Sequence, residues 1–502
     1  MNRSRILSLT LVFLFVAAGC GQKPGVAPPL AGGLPEGATV NAQGEVVDSS
    51  GEVIGTVDDL AGTTGGDLTG ATGTTGSGTT GSSTTTGSGT TGSSNTPTGS
   101  GTGSNQPSGS ESPAPSGPEP SGGDATGVTN DLIKIGSHAP LTGAAPVPSD
   151  SAQKGADIYW KWLEHNKESV NGRRVEAILK NDNYNPSQAV AVCKEMVEKD
   201  KVFLLSGLAG TDQIQACARY AASVGVPYLS AGVTTNGLDG LPNYFATTMT
   251  YADQAPMLAD YIINKLGGAD EKSGMLRFET PNFEDAHQAF IGAMQDKGAP
   301  VAYDRAVPKQ AGSTEAQTVV QEMKTAGIEN VFVLTSPVWF LQVLQAAKTQ
   351  QYTPQWVGIG ITMTFDTVAT VGCRNGTLDK SKFFAPFPAW VDSDKYDPEY
   401  RQAVHAIYPD NNPQKRDGDD FVWLGYASSK GLASMLALPG KDLTRERFVY
   451  FLERARNLKT GILPPNSFTP DDHFGADQVH VNEAQCSVDN RWHTIQSFVS
   501  DF

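Results

Sequence analysis

From Asp131 to about residue 360, short runs rich in β-branched residues alternate with helix-length amphipathic segments, and this alternation is the strongest constraint the chain carries. Strand patterns at 132–136, 174–179, 202–206 and 227–231 are separated by helical patterns at 151–167, 186–199 and 211–223. After Tyr251 the alternation restarts, with helices at 252–266, 283–297, 314–326 and 339–350 between strands at 275–278, 301–306, 331–335 and 356–359. Repeated strand–helix–strand units place parallel strands side by side with helices on both faces. The reading is therefore α/β, with two doubly wound parallel-sheet lobes in succession. The last third departs from it: helical patterns at 398–407, 422–436 and 445–456 precede an extended tail with Phe468, Phe474, Val479, Val481, Val488 and Trp492. Such a tail suits strands added back onto an existing sheet.

The first 130 residues follow another logic. Residues 62–128 are almost entirely Gly, Ser, Thr, Pro and Asn, and hold 19 of the 55 Gly in a 502-residue chain. They hold too few apolar groups to offset the entropy of ordering, so residues 21–128 are expected to be a disordered tether, its stretch from Gly21 to about Asp124 spanning roughly 50–60 Å as a coil. Within it, 44–57 alternates apolar and polar residues around Ser49-Ser50-Gly51. That admits a small hairpin, but two strands alone are marginal in water, and disorder is the expectation. Upstream, Arg3 and Arg5 precede an apolar run at 6–16 and the small residues Ala17-Ala18-Gly19 before Cys20. This is a signal-peptide pattern, too short to span a bilayer permanently at ~20 residues. Small residues directly before a cysteine resemble the lipobox of bacterial lipoproteins, which implies lipidation of Cys20 at residue 1 of the mature chain.

The net charge of −16 is shared between the tether and the remainder, and no Lys/Arg cluster able to neutralise phosphates is present, so a nucleic-acid role is excluded. There is no Gly-x-Ser-x-Gly, no His-Glu-x-x-His and no phosphate loop ending in Gly-Lys-Ser/Thr. The seven histidines are scattered, apart from Asp471, Asp472, His473 and His480, which read as a solvated turn. Nothing assembles a nucleophile with a base, and no enzyme activity, cofactor or metal is expected. Besides Cys20 the chain holds Cys193, Cys217, Cys373 and Cys486, an even number in an exported protein, which allows three disulfide pairings.

The folded part carries further landmarks: Ile133-Lys134-Ile135-Gly136 with Pro140-Leu141-Thr142-Gly143, Lys154-Gly155-Ala156, Asn171-Gly172-Arg173-Arg174-Val175, Asp182 and Pro186-Ser187-Gln188-Ala189. Gly225-Val226-Pro227-Tyr228, Phe245-Ala246-Thr247-Thr248 and Phe474-Gly475 continue them. In order and spacing these resemble the leucine/isoleucine/valine-binding type of extracytoplasmic solute-binding protein, a type I periplasmic-binding fold. The resemblance implies a three-crossing hinge, with one lobe at about 131–249 and 380–460 and the other at about 250–379 and 461–502. Pairing Cys193 with Cys217 and Cys373 with Cys486 would keep each disulfide within one lobe. It also implies a monomeric receptor, lipid-anchored on the extracytoplasmic face of a bacterial membrane, that binds an amino acid or related small polar solute and delivers it to the permease of an ABC importer. A sensor of the same fold acting through a signalling partner is the alternative.

In open α/β sheets ligands bind beyond the carboxyl ends of the strands, at helix N-termini. This selects Thr142, Gly210, Thr211, Asp212, Gly232, Thr234, Thr235, Phe283, Ser336, Trp339 and Gly360 as the expected ligand-binding residues. Carried over residue by residue, the resemblance puts the family's carboxylate-binding serine at Gly210 beside Thr211 and keeps a small-residue/Thr pair as Gly232 and Thr234. Its second-lobe tyrosine becomes Phe283, and its acidic partner for an ammonium group falls near Gly360. An α-amino group then needs Asp212, Glu284 or Asp285 as its anion.

Overall fold

The computed structural model describes residues 39–40, 45–47, 53–56, 117–143, 146–147, 149–360, 365–409 and 418–502. The signal peptide, Cys20 and residues 57–116 of the expected tether lie outside the described residues. Inside that expected tether the backbone forms three antiparallel strands, β1 (Thr39–Val40), β2 (Glu45–Val47) and β3 (Val53–Thr56). The alternation at 44–57 thus becomes a hairpin, and a third strand joins it, which two strands alone lacked.

The tether's far boundary is also earlier than expected. Residues 117–128 pack on the folded domain: Asp124 accepts from the Arg445 guanidinium, which also donates to the carbonyls of Phe203 (2.9 Å) and Val202 (2.8 Å). Arg445 is only 6% exposed, so its charge is satisfied by this carboxylate and two carbonyls rather than by water.

The first sheet has the order β5-β4-β6-β7-β8, formed by β4 (Leu132–Ala139), β5 (Arg174–Asn181), β6 (Leu204–Gly207), β7 (Tyr228–Ser230) and β8 (Tyr244–Ala246), all parallel. Helices α1 (Ser149–His165), α2 (Pro186–Glu195) and α3 (Thr211–Ser223) are the crossovers. α2 starts where sequence signals coincide: Pro186 sits in its first turn and Asn185 accepts from the Gln188 amide at 3.0 Å, a cap worth about 1 kcal/mol.

The second sheet has the order β10-β9-β11-β12-β13-β16-β17. Its parallel part comprises β9 (Ser273–Phe278), β10 (Tyr303–Val307), β11 (Asn330–Leu334), β12 (Gln355–Ile359) and β13 (Lys382–Ala385). The crossover helices are α4 (Tyr251–Lys265), α5 (Glu284–Asp296), α6 (Ser313–Ala326), α7 (Pro337–Thr349) and α8 (Asp366–Asn375). The tail then returns as β16 (Val479–Gln485) and β17 (Arg491–Val499), both antiparallel additions. Val479, Val481 and Trp492 are buried there, as the tail's composition suggests.

Two boundaries shift from the expected division. The return to the first lobe, expected at about 380, comes later, because β13 hydrogen-bonds β12 and β16 inside the second sheet. The final crossing, expected at about 461, also comes later. β14 (Leu458–Thr460) and β15 (Leu463–Asn466) belong with the first lobe: Leu463 and Phe468 join its core, Phe468 packs edge-on to Phe245 at 5.2 Å, and Phe474 bridges Ala246. Between these crossings, α9 (Ser393–Tyr396), α10 (Tyr400–Ile407), α11 (Asp420–Ala437) and α12 (Arg445–Leu452) follow in order. Tyr400, Trp423, Tyr426 and Phe448 from the last three fill the first lobe's core beside Ile133, Ile158 and Phe203.

Cys193–Cys217 ties α2 to α3, and Cys373–Cys486 ties α8 to the β16–β17 turn, so both cross-links stay within one lobe. Among the described residues no helix is long and apolar enough to cross a membrane.

Candidate ligand-binding cleft

Between the lobes lies a cavity of about 220 Å³ at the carboxyl ends of β6, β7, β11 and β12. The first lobe contributes Tyr184, Leu208 to Thr211, Ile214, Val233 and Phe421, and the second contributes Tyr251, Phe283, Leu334 to Val338, Ile359, Gly360 and Phe365. Among the described residues, no charged side chain lines it.

Its polar groups are few and specific. α3 starts at the wall with Gly210 as N-cap, and no side chain caps it, so the first-turn N–H groups and the positive end of the helix dipole serve the cavity. Gly210 has φ 86°, and a Cβ there would come within 2.4 Å of the Gln213 side chain, so the position needs glycine. Tyr184 and Tyr251 present phenols whose acidity burial suppresses: Tyr184 is pushed up to about 12, with the Asp212 charge adding to it, and Tyr251 is raised by burial too. Both remain neutral hydrogen-bond groups. Ser336 caps α7 by accepting from the Trp339 amide at 3.3 Å.

Of the residues expected at the ligand, Gly210, Thr211, Phe283, Ser336 and Gly360 line this cavity. Asp212, Thr234 and Thr235 instead join the lobes. Asp212 accepts from Asn282 Nδ2 at 2.5 Å and pairs with Lys309, while Gln215 donates to Asn282 at 3.0 Å. The Thr234 hydroxyl donates to Asp285 at 2.7 Å, and the Thr235 amide reaches the same carboxylate at 3.2 Å. Gly232 is buried in backbone, its amide donating to Thr248 Oγ1 at 2.8 Å. Thr142 is exposed and braces Asn183, the residue before Tyr184. Trp339 is core: 3% exposed, its indole donating to the Gly312 carbonyl at 3.2 Å. The candidate anions for an ammonium group are likewise occupied, since Glu284 bonds His287 (3.1 Å) and Gln288 (2.6 Å) while Asp212 and Asp285 hold the opposite lobe.

Of the aromatic lining only Phe283 was expected; Tyr184, Tyr251, Phe365 and Phe421 were missed. Tyr184 and Tyr251 stand at starts of helical segments, where an aromatic residue reads as core, and Phe365 and Phe421 are more than fifty residues apart. The one available signal was that each follows a strand end or opens a helix.

A periplasmic binding protein family model matches residues 132–487. The chain belongs to this family. The fold of this binding protein is shared with solved structures at low identity. One is a fatty acid ABC transporter substrate-binding protein from Thermomonospora curvata, with a TM-score of 0.63 and 17% identity, covering 75% of this chain and 95% of that one. Another is a branched-chain amino acid ABC transporter protein from Thermus thermophilus with bound valine, with a TM-score of 0.61 and 15% identity, covering 74% and 98%. A third is a solute-binding protein of an ABC transporter from Rhodopseudomonas palustris with 3,4-dihydroxybenzoic acid, with a TM-score of 0.59 and 18% identity, covering 74% and 99%. No curated protein matches the chain by sequence. By family this chain is a periplasmic binding protein.

Proposed function

We propose that the protein is the receptor of an ABC importer, anchored to the membrane through a lipid on Cys20, and that it closes on a small, mainly apolar acid in the interlobe cavity. The observation that carries this is the lining: aromatic and aliphatic side chains, a helix N-terminus and two neutral phenols, with no charged side chain among the described residues. A carboxylate suits uncapped N–H groups at a helix N-terminus. An α-ammonium group finds no anion there, and a buried unpaired charge costs several kcal/mol. The amino acid or small polar solute expected from the sequence is therefore the poorer fit.

Volume narrows the class. An apolar cavity of ~150 Å³ holds one benzene, so about 220 Å³ holds a ring with a carboxyl group, or a short branched or linear acid, but not a peptide or disaccharide. That relatives of this fold carry a dihydroxybenzoic acid in one case and a fatty acid name in another supports an acid of this kind.

The test is a thermal-shift panel on the purified protein with benzoate, hydroxybenzoates and short-chain fatty acids against leucine, isoleucine and valine. At 100 times its dissociation constant a ligand stabilises by about 2.7 kcal/mol, a shift of several degrees. A shift with one or more acids and none with the amino acids is expected. A shift with leucine or valine alone, or with no member of the acid series, overturns the ligand class.

A further inference from the structure

Helix α8 of the second lobe opens without a cap of its own, since Phe365, at its N-cap position, makes no side-chain bond to the first turn. The missing acceptor comes from the other lobe: Asp420 Oδ2 accepts from the Asp366 amide at 2.5 Å. Asp420 is not needed for its own helix. α11 is capped by Asp419, which accepts from the Val422 amide at 2.8 Å and is itself held by the Ser151 hydroxyl at 2.6 Å. Next to this contact Phe365 and Phe421, one from each lobe, pack as tilted rings with centroids 3.9 Å apart, and both line the cavity. Trp492 fixes the strand side by donating to the Phe365 carbonyl at 3.1 Å.

We infer that Asp420 is a positioning residue for closure: its carboxyl caps the opposite lobe's helix α8 only when the lobes meet over the ligand, and closure takes up a proton there. The inference rests on the reading of the cavity as a cleft that closes on a solute.

The surroundings set the sign. Asp420 is 8% exposed in this closed arrangement and faces a second carboxyl, Asp366, across the lobe boundary. Asp366 pairs with Arg491 of β17 at 3.0 Å; Asp489 and His493 stand beyond it, themselves 3.0 Å apart, and His493 also lies 3.6 Å from Asp392. On the first-lobe side the neighbouring charge is Asp419. Burial, and then the charge of Asp366, push the Asp420 carboxyl up to about 7; burial pushes Asp366 up to about 6 against the pull of Arg491. In an open molecule Asp420 returns to water and to an ordinary carboxylate value near 3.9. A group with a higher pKa in the closed form favours closure fully below its open-form value, and this contribution is lost as pH rises through its closed-form value. Closure is thus strengthened by acid between about pH 4 and 7, and the effect levels off above that range.

The test needs no ligand. Spin labels on cysteines introduced at Val224 and Gln295, exposed positions on the first and second lobes, report the interlobe distance in the full chain at pH 5, 6, 7 and 8. The wild-type closed-to-open ratio is expected to fall about tenfold per pH unit between 5 and 7 and to flatten by 8. Asp420→Asn keeps an oxygen acceptor for the Asp366 amide but cannot ionise, and should lose most of that slope. Lys309→Met, which removes the ion pair with Asp212 from the other rim, should lower the closed fraction at every pH with the slope intact. A wild-type distance that does not change with pH, or a slope that survives in Asp420→Asn, overturns the inference. Either result leaves the ligand class untouched, because the thermal-shift panel reads it separately.

Discussion

Two of the contacts between the lobes, at opposite rims of the cavity, use opposite electrostatics. On one rim the N-terminal turn of α3 and residues 234–236 face 280–285 and Lys309, and every ionised group finds a complementary partner: Asp212 with Lys309 and Asn282, Asp285 with Thr234 and the Thr235 amide. On the other rim the Asp420 carboxyl accepts from the Asp366 amide and feels the Asp366 charge, beside the tilted rings of Phe365 and Phe421. The first rim selects a register, since its hydrogen bonds fit only one mutual orientation of the lobes. The second meets a desolvation penalty that a proton relieves, so the strength of closure there depends on the solution. Fixed docking and adjustable closure are separated in space, with the cavity between them.

The largest expected effect tests how rigidly the second rim is held. Cys373–Cys486 anchors the far end of α8 and closes a loop with a sequence separation of 113 residues, so removing both cysteines should cost about 4–5 kcal/mol in denaturant unfolding. If α8 is positioned by this link, the Asp366–Asp420 contact weakens with it, and the pH slope of the interlobe distance should shrink alongside the stability. An unchanged slope in the Ser/Ser variant would separate the two.

Next is the aromatic pair. Phe421→Ala removes the ring contact with Phe365 and part of the cavity wall, with an expected loss of about 2–3 kcal/mol, below the full range for a buried phenylalanine because Phe421 is only half-buried. Asp212→Ala comes third. It leaves Lys309 and Asn282 without their acceptor on the first rim, for about 1–2 kcal/mol. Its cost should be the same at pH 5 and pH 8, whereas that of Asp420→Ala should differ between them; equal pH profiles would erase the contrast between the rims.

The fold was more legible than the cleft because strand and helix periodicity is local, whereas a cleft is built from residues far apart in the chain. The parallel alternation and the added tail strands follow from patterns a few residues long, whereas the disulfide pairing needed the lobe division that the resemblance implies. The lobe boundaries did not, because a strand such as Lys382–Ala385 is apolar whichever sheet receives it, and only pairing with β12 and β16 decides. The strand-end rule selected Gly210, Thr211 and Ser336, which line the cavity, since a helix N-terminus has its position written in its cap residues. It could not tell that Asp212 and Thr234, one residue and one strand further on, spend their polar atoms on the opposite lobe. Nor could it find Asp420, whose neighbour Asp419 already accounts for the start of α11.

That ambiguity sets the finest test. Thr211 and Thr234 are both threonines beyond strand ends, and the sequence gives them the same role; the structure puts Thr211 on the cavity wall and gives the Thr234 hydroxyl to Asp285 at 2.7 Å. Thr234→Ala should therefore loosen closure by about 1 kcal/mol, roughly a fivefold fall in the closed-to-open ratio without ligand. Thr211→Ala should leave that ratio alone and weaken only the binding of whichever acid shifts the melting temperature. Since a solute that binds the closed form shifts it by its differential affinity alone, the two losses should add in a double variant. A Thr211→Ala protein whose interlobe distance changes in the absence of any acid would return that residue to the docking rim.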